Sequence, residues 1–337
     1  MPGSLSFDAV EKARHRAGFF LETILESLTI TTDDGQALAA QHYRPQGVPV
    51  SRAVIIATAL GVPQSFYQRY ALWLVEQGCV VYTFDWRGMG RSAPANLHGY
   101  RARLSDWALH DAPAVMNAVA QRHPDLPISW FGHSMGGILY GLMPPHPRVD
   151  HVATLASGSG YGAHLARPLR YVISVFWHVM VPLSVARHGY FAGRRLKAVG
   201  DVPRGVVAQW KRWSQHPDFV LSDGEHARQA YARVTQPITA VMIDDDVFAS
   251  HEGVRAQHAH YRNAPVTHVL VKPKDHGVRA QHAHYRNAPV THVLLKPQDH
   301  GVRAIGHFNF FHARTGAKVW ALSREWLGLA DARAGAH

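Results

Sequence analysis

The sequence contains a single cysteine, Cys79, among its 337 residues. One cysteine excludes an internal disulfide and suits a reducing compartment, so we expect a cytoplasmic protein. Long apolar runs are also missing. The longest, Tyr171 to Ala186, contains His178 and Pro182 and is predicted to be too short to cross a bilayer. The N-terminus lacks the basic-then-apolar layout of a secretory signal. These absences predict no disulfide scaffold and no integral membrane segment.

Clusters of positive charge are missing as well. No run of lysine and arginine exceeds two residues, although the formal net charge is +11. A protein that binds a polyanion would concentrate its basic residues on one surface. Here they are spread along the chain, which favours an ordinary solvated surface. We therefore expect no nucleic-acid partner, and the hydrophobic content of 47% predicts a globular core of normal size.

Apolar runs alternate with segments of helical spacing along most of the chain. This alternation is typical of a mostly parallel sheet with helices on both faces, and therefore of the α/β class. We predict a hairpin over Glu26 to Tyr43, helices over Gln64 to Gln77 and Arg103 to Arg122, and strands over Ala53 to Ala59, Cys79 to Phe84, Ile128 to Phe131, Val149 to Ala156 and Pro237 to Ile243.

The alternation stops after the strand that ends near Ala156. Residues 158–230 are rich in aromatic residues and arginine and have helical spacing without strand signals. We interpret them as a helical cap inserted between two parts of one core, residues 25–157 and 231–330. A last helix is predicted over Lys318 to Leu327.

A tandem duplication lies in the second part of this core. Residues 253–276 recur as residues 277–300, and 22 of the 24 positions match. Each copy predicts one helix (Val254 to Arg262, Val278 to Arg286) and one strand (Thr267 to Val271, Thr291 to Leu295). Two copies are too few for a solenoid. One copy is therefore predicted to be surplus: the second keeps the connection to the following loop, and the first bulges out or extends the sheet edge.

The most informative motif is Gly132-His133-Ser134-Met135-Gly136-Gly137, which follows the apolar segment Pro127 to Phe131. The G-x-S-x-G spacing is typical of a nucleophile elbow, a sharp turn between a strand and a helix. The turn lifts the serine oxygen clear of the sheet, and glycines are needed where a Cβ would meet the neighbouring strand or helix. Ser134 is therefore the candidate nucleophile, and His133 is expected to pack beneath the elbow.

A serine nucleophile requires a base, and the base requires an acid that holds it in the correct tautomer. In elbow-containing folds the chain order is serine, acid, histidine. The strand that ends at Ile243 is followed by three carboxylates, Asp244, Asp245 and Asp246. We favour Asp246 as the acid because it lies beyond the strand end, with Asp245 as the alternative.

The candidate base is His307, which follows the last predicted strand and precedes the last predicted helix. The competing histidines are His276, His300 and His312. Removing one 24-residue copy leaves 37 residues between Asp246 and His307, enough for one helix, one strand and a loop. His307 also lies outside the repeated unit.

Two backbone N–H groups are expected to stabilise the oxyanion. Met135 supplies one at the start of a helix, where the donors are unpaired and the dipole favours negative charge. Leu60 supplies the other, from the loop after the strand that ends near Ala59.

With these residues, the sequence resembles the α/β-hydrolase superfamily. The resemblance rests on residues 132–137, on Asp85-Trp86-Arg87-Gly88-Met89-Gly90-Arg91-Ser92 and on Gly306-His307. It covers roughly residues 25–330 and is closest to the monoacylglycerol-lipase and serine-aminopeptidase-like branch, among bacterial hydrolases of unassigned substrate. It implies the same triad and the same oxyanion donors, with neither cofactor nor metal.

From these observations we expect a serine hydrolase that cleaves an ester or thioester of a small, largely apolar acyl substrate. Two alternatives stay open. One is a non-catalytic ligand-binding or scaffold protein whose triad is disrupted by the duplication. The other is a peripheral membrane protein that docks through Tyr171 to Ala186.

Overall fold

The computed structural model describes residues 22–196, 199–271, 293–295, 304–312 and 314–329. Within these residues one sheet is formed by β1 (Thr23–Thr31), β2 (Ala37–Pro45), β3 (Arg52–Ala57), β4 (Cys79–Phe84), β5 (Ile128–His133), β6 (Val149–Leu155), β7 (Ile238–Ile243), β8 (Val266–Val271) and β9 (Val293–Leu295). Their order across the sheet is β1-β2-β4-β3-β5-β6-β7-β8-β9.

Only the first hairpin departs from parallel pairing in the described part of the sheet. Strand β2 pairs antiparallel with β1 and β4, and every later pair, from β3–β4 to β8–β9, is parallel. The mostly parallel sheet predicted from the sequence is confirmed. Parallel strands end at the same edge, so the loops after β3, β5 and β7 meet there.

Strand β3 shows how the sheet builds a core on each face. Its residues Ala53, Ile55 and Ala57 pack into one hydrophobic cluster, whereas Val54 and Ile56 pack into a second. This follows from the two-residue period of a strand, which sends successive side chains to opposite faces. Both faces are therefore covered, and a continuous apolar run in the sequence indicates a strand buried on both sides.

Helices cover the two faces of the sheet. The described helices are α1 (Gln68–Glu76), α2 (residues 104–122, with a π-helical middle at Trp107–Asp111), α3 (Met135–Ile138), α4 (Leu169–His188), α5 (Arg204–Ser214), α6 (Glu225–Arg233), α7 (His251–His258) and α8 (Ser323–Trp326). The single helix predicted over Lys318 to Leu327 is wrong. That segment consists of two 3₁₀ turns followed by the short α8.

Helix α4 corrects a second expectation from the sequence. The segment was predicted to be too short to cross a bilayer, but the helix extends beyond it at both ends and has 20 residues. By length and composition it is, among the described residues, the one helix that could cross a membrane. Only 17% of its most apolar window is buried inside the protein.

The described strands of the two copies lie side by side in the sheet. Val269 of β8 pairs with Val293 of β9, and Val271 pairs with Leu295. Each residue thus pairs with its own equivalent, 24 positions later. The first copy supplies the strand beside β7, and the second supplies the outer strand. The surplus strand therefore belongs to the second copy, the reverse of the sequence-based expectation. The helix predicted over Val278 to Arg286 lies outside the described residues.

Deletion of Gly253 to His276 is expected to leave a protein that folds and keeps whatever activity the full chain has. The remaining strand differs from β8 only by leucine in place of Val271, so it can take the same position beside β7. The soluble yield, the thermal midpoint and kcat/KM should equal or exceed those of the full chain. An insoluble or inactive deletion variant would show that both copies are integral to the fold.

Candidate active site

Ser134 lies at the sharp turn between β5 and α3. Its backbone has φ 52° and ψ −117°, in the left-handed region that side chains other than glycine rarely adopt. The turn is held by local hydrogen bonds: the Ser134 N–H donates to the Leu155 carbonyl at 2.8 Å, and the Ser134 carbonyl accepts from Gly137 at 3.0 Å. A strained serine that the surrounding structure fixes in place is typical of a functional site.

The glycines of the motif are required by close backbone approach. A Cβ on Gly132 would overlap the backbone of Gly137, and a Cβ on Gly136 would overlap the carbonyl of Ala57 at the end of β3. A Cβ on Gly137 would overlap the side chain of Ser157. The elbow therefore packs directly against the point where the loop after β3 begins.

Asp246 and His307 form a buried pair. The Oδ2 atom of Asp246 lies 2.7 Å from Nδ1 of His307, and their side chains are 0% and 8% exposed. A carboxylate only accepts hydrogen bonds, so the proton of the neutral imidazole lies on Nδ1 and the lone pair on Nε2. The other oxygen of Asp246 accepts the backbone N–H groups of Phe248 and Ala249, at 2.8 and 3.0 Å.

The neighbouring carboxylates have different partners. Asp245 accepts hydrogen bonds from the backbone N–H groups of Ile305, at 3.0 Å, and Gly306, at 2.9 Å. It therefore holds the backbone of the loop that carries His307, whereas Asp246 contacts the imidazole itself. Asp244 lies 3.4 Å from Nε2 of His251.

A chain of buried hydrogen bonds joins three loops around Ser134. The N–H of Ala59 donates to the Tyr67 hydroxyl at 2.9 Å, and that hydroxyl lies 2.8 Å from Nδ1 of His133. Nε2 of His133 lies 2.9 Å from the carbonyl of His307. Because a carbonyl only accepts, His133 carries its proton on Nε2 and accepts the Tyr67 O–H at Nδ1. Burial lowers the pKa of His133 well below its usual range, so the ring stays neutral.

This chain brings His307 next to His133, the residue that precedes the candidate nucleophile. The rings of His133 and His307 are 5.1 Å apart, and His133 directly precedes Ser134. No hydrogen bond joins the Ser134 hydroxyl to His307 within the part of the chain that the structure describes. Such bonds are often long before substrate binds.

The two expected oxyanion donors have free N–H groups. Neither the Leu60 nor the Met135 amide donates to an acceptor within the described ranges. Met135 begins α3, and Leu60 lies three residues after β3, next to the elbow. Thr58 and Ala59 stand where the resemblance to the α/β-hydrolase superfamily implies His-Gly. The loop is fixed instead by the indole N–H of Trp86, which donates to the Thr58 carbonyl at 2.9 Å, and by the Ala59–Tyr67 bond.

The motif Asp85 to Ser92 holds the end of the Leu60 loop through hydrogen bonds. Asp85 accepts hydrogen bonds from the backbone N–H of Gln64 at 2.8 Å, from the Gln64 side-chain amide at 3.0 Å and from the Arg91 N–H at 2.9 Å. The hydroxyl of Ser92 donates to the Asp85 carbonyl at 2.7 Å. The motif is therefore structural: it ties the end of the Leu60 loop to the loop after β4.

One group of side chains could geometrically hold a metal ion among the described residues: Asp33, Asp34 and His110. Asp33 and Asp34 lie at the turn between β1 and β2, and His110 lies in the π-helical middle of α2. Asp34 already pairs with Arg87, whose guanidinium holds the Asp34 pKa below its usual range. Asp33 lies 2.7 Å from His110. These internal pairs account for the cluster without an ion.

The structure thus brings Ser134, Asp246, His307, Met135 and the Leu60 loop to one edge of the sheet. His312 lies beside Phe66, and His276 and His300 lie outside the described residues. Sequence reasoning missed the roles of Tyr67 and Asp245. Tyr67 follows Leu60 by seven residues and ends the 3₁₀ turn Gln64–Tyr67, so its position in the sequence placed it near the expected oxyanion loop. Only its tertiary contact with His133 shows its role.

Comparisons with known proteins identify the family of this chain. Residues 49–278 match the family model described as serine aminopeptidase, S33. The chain is 32% identical to a monoacylglycerol lipase from Mycolicibacterium smegmatis over 36% of this chain and 40% of that protein. It is 28% identical to a human monoglyceride lipase over 36% of this chain and 38% of that protein. The chain therefore spans less than half the length of the curated relatives it matches.

Solved structures show the same fold. An esterase from Pyrococcus furiosus superposes with a TM-score of 0.55 at 15% identity, covering 91% of this chain and 93% of that one. At this identity the likeness concerns the fold alone. It confirms the α/β-hydrolase fold that the sequence predicts.

Proposed function

Because the chain belongs to the serine aminopeptidase, S33 family, we propose that it is a serine hydrolase that cleaves an ester or thioester of a small, largely apolar acyl group. Ser134 is the nucleophile, His307 the base and Asp246 the acid. The N–H groups of Leu60 and Met135 bind the oxyanion. The domain organisation proposed with this function is a core of residues 25–157 and 231–330, with residues 158–230 as the cap.

In the reaction, the Ser134 oxygen attacks the carbonyl carbon while Nε2 of His307 takes its proton. Asp246 stabilises the imidazolium that forms, and the two amides bind the oxygen that becomes negative. His307 then passes the proton to the leaving oxygen or sulfur, and the acyl group stays on Ser134. Water, activated by the same histidine, releases the acid and restores the serine.

The observation that carries this proposal is the buried Asp246–His307 pair beside a serine held at positive φ. A buried carboxylate on a histidine stabilises the imidazolium state, which a structural histidine does not need. The relatives described as monoacylglycerol and monoglyceride lipases support an ester substrate.

A fluorophosphonate probe tests the proposal against the non-catalytic alternative. Such a probe reacts quickly only with a serine that a competent triad activates. We expect stoichiometric labelling, together with hydrolysis of a panel of p-nitrophenyl and thioester substrates of increasing acyl length. A folded protein that neither labels nor hydrolyses any ester would support a ligand-binding or scaffold role.

A second candidate function, docking on a membrane surface, is favoured by helix α4. Val172, Val175, Val179 and Leu183 recur at helical spacing and are all exposed, Leu183 by 66%. Together they form an apolar stripe on one side of the helix. Arginines lie at both ends, among them Arg170 and Arg187. An apolar face with basic ends is suited to a bilayer surface that contains anionic lipid.

If α4 docks in this way, the protein should co-sediment with vesicles that contain phosphatidylserine, and less so as salt is raised. Leu183→Gln should weaken the partition by about tenfold, because it removes an apolar side chain from the buried face. Leu25→Gln, at a half-exposed leucine on β1, is the matched control and should bind like the wild type. Equal binding to neutral vesicles at high salt, or resistance to extraction by alkaline carbonate, would contradict surface docking.

A further inference from the structure

Two phenylalanine rings contact the imidazole of His307. The Phe308 ring lies 4.8 Å away and meets it edge to face, and the Phe248 ring lies 5.4 Å away on a tilted plane. A third ring, that of Phe66, lies 6.4 Å from Phe308. We call Phe66, Phe248 and Phe308 the aromatic rim. It connects the loop that carries Asp246, the loop that carries His307 and the 3₁₀ turn after the Leu60 loop.

Phe248 is positioned by the acid itself. The Asp246 oxygen that does not face His307 accepts the N–H of Phe248 at 2.8 Å and that of Ala249 at 3.0 Å. The turn that orients the carboxylate toward the imidazole therefore also fixes the backbone position of Phe248. A substitution of the Phe248 side chain keeps this backbone hydrogen bond, so it can remove the ring without moving Asp246.

The exposure of Phe248 is unexpected for its environment. The side chain of His307, which it contacts, is 8% exposed, yet Phe248 as a residue is 49% exposed. An aromatic ring in water costs free energy in proportion to its apolar area, and exposed apolar surface beside a reactive group indicates a binding surface. Phe308 and Phe66 are partly exposed as well.

The reaction chemistry indicates which part of a substrate lies against this rim. In acylation, the Ser134 oxygen bonds to the carbonyl carbon, the bond from that carbon to the alkoxy oxygen breaks, and the proton taken from Ser134 passes through Nε2 of His307 to the departing oxygen. The leaving alcohol must therefore lie within hydrogen-bond reach of the imidazole when it leaves. An exposed apolar side chain that contacts the same imidazole is therefore a candidate contact for that alcohol.

We propose that Phe248, supported by Phe308, forms a subsite for an apolar leaving group, so that this enzyme favours esters of aromatic or other bulky apolar alcohols over esters of small ones. The proposal rests on the proposed serine hydrolase function and adds the chemical class of the alcohol. An aromatic ring of the leaving group, stacked on Phe248, would also shield the imidazole of His307 from water during proton transfer. Phe248 is in this view a specificity-determining residue, and it takes no part in bond making.

The test compares benzyl and methyl esters of the same short-chain acid. These two alkoxide leaving groups share one acyl-enzyme and differ chiefly in the apolar ring. Phe248→Ala should lower kcat/KM for the benzyl ester by about tenfold, the scale of one aromatic contact, and change that for the methyl ester by less than about twofold. Phe248→Tyr, which keeps the ring, should retain the benzyl preference. Leu25→Ala removes an equally exposed apolar side chain on β1 and should change neither value.

Deacylation provides a second readout. The alcohol has already left the acyl-enzyme, so Phe248→Ala should leave the hydrolysis rate of a preformed acyl-enzyme unchanged. Acyl-length preference among benzyl esters should also stay unchanged. Because the side chain is half exposed, the variant is expected to fold, which its thermal midpoint checks.

Three results would overturn the proposal. An equal loss for benzyl and methyl esters would mean that Phe248 only shields His307. A shift in acyl-length preference without a change in alcohol preference would assign the rim to the acyl group. Slower deacylation in Phe248→Ala would also assign the aromatic rim to the acyl group of the substrate. Failure of the proposed function looks different, because the wild-type protein would then hydrolyse neither ester and Ser134 would not react with a fluorophosphonate.

Discussion

Ser134→Ala is expected to abolish ester hydrolysis and labelling by a fluorophosphonate, with kcat/KM falling by at least about 10³-fold. In the proposed reaction the hydroxyl oxygen becomes covalently bonded to the acyl carbon, so no neighbour can replace it. The Ser134 side chain accepts and donates no hydrogen bond within the described residues. Its removal therefore leaves no buried partner unsatisfied, and alanine meets the same backbone strain at φ 52°.

The thermal midpoint of this variant should stay within about 2 °C of the wild-type value, as for a substitution that removes no packing or hydrogen bond. Ser65→Ala, at an exposed serine just after the Leu60 loop, is the matched control and should keep full activity. Retained labelling of the Ser134→Ala variant would show that another residue is the nucleophile. A large fall in the midpoint would instead indicate a structural role for the hydroxyl.

Asp246→Asn is expected to reduce kcat by about 10³- to 10⁴-fold, the scale seen when a triad acid is replaced by its amide. The carboxylate accepts the Nδ1 proton of His307 and so leaves the lone pair on Nε2. An asparagine amide can donate to Nδ1 and stabilise the opposite tautomer, whose Nε2 carries a proton and cannot act as the base. His307→Ala should cost at least about 10³-fold, since triad members act as a unit.

Asp244→Asn and Asp245→Asn are the controls for this prediction. Asp245 holds the backbone of the His307 loop through two N–H groups, and an amide in its place can accept only one of these bonds and turns a donor toward the other. We expect Asp245→Asn to lower the thermal midpoint and to reduce kcat by about tenfold, the scale of one charge-assisted hydrogen bond. Asp244→Asn should have little effect. If Asp245→Asn is the crippling change, the acid lies one residue earlier than proposed.

The core of the sheet could be predicted from sequence because its signals are local. Strand β4 has the predicted bounds, and each end of β3, β5 and β6 lies within two residues of its prediction. A strand buried on both faces has an unbroken apolar run, and this pattern needs no knowledge of the neighbours. The predictions were weaker near the C-terminus. There the short turns over residues 316–326 are held by contacts such as the Trp320 indole N–H to the Phe310 carbonyl at 2.5 Å, which no local pattern encodes.

The elbow was predictable for a related reason. Gly132, Ser134 and Gly136 lie within five residues, and the strain they accommodate arises within the same turn. The acid was less certain, because three consecutive carboxylates have the same local chemistry. Only the loop that carries His307, some 60 residues later, distinguishes the carboxylate that meets an imidazole from the one that meets two backbone amides.

The sequence by itself determined the class of the fold, the position of the candidate nucleophile and the strands that bring it to the sheet edge. These depend on short-range properties: side-chain period, backbone strain and the absence of a Cβ. The tertiary structure alone decided which copy of the repeat lies beside β7, which aspartate faces His307, how His133 joins three loops, and why Phe248 remains exposed. Each of these depends on a contact between residues far apart in the chain, where the free energy of burial and hydrogen bonding selects one partner among chemically equivalent candidates.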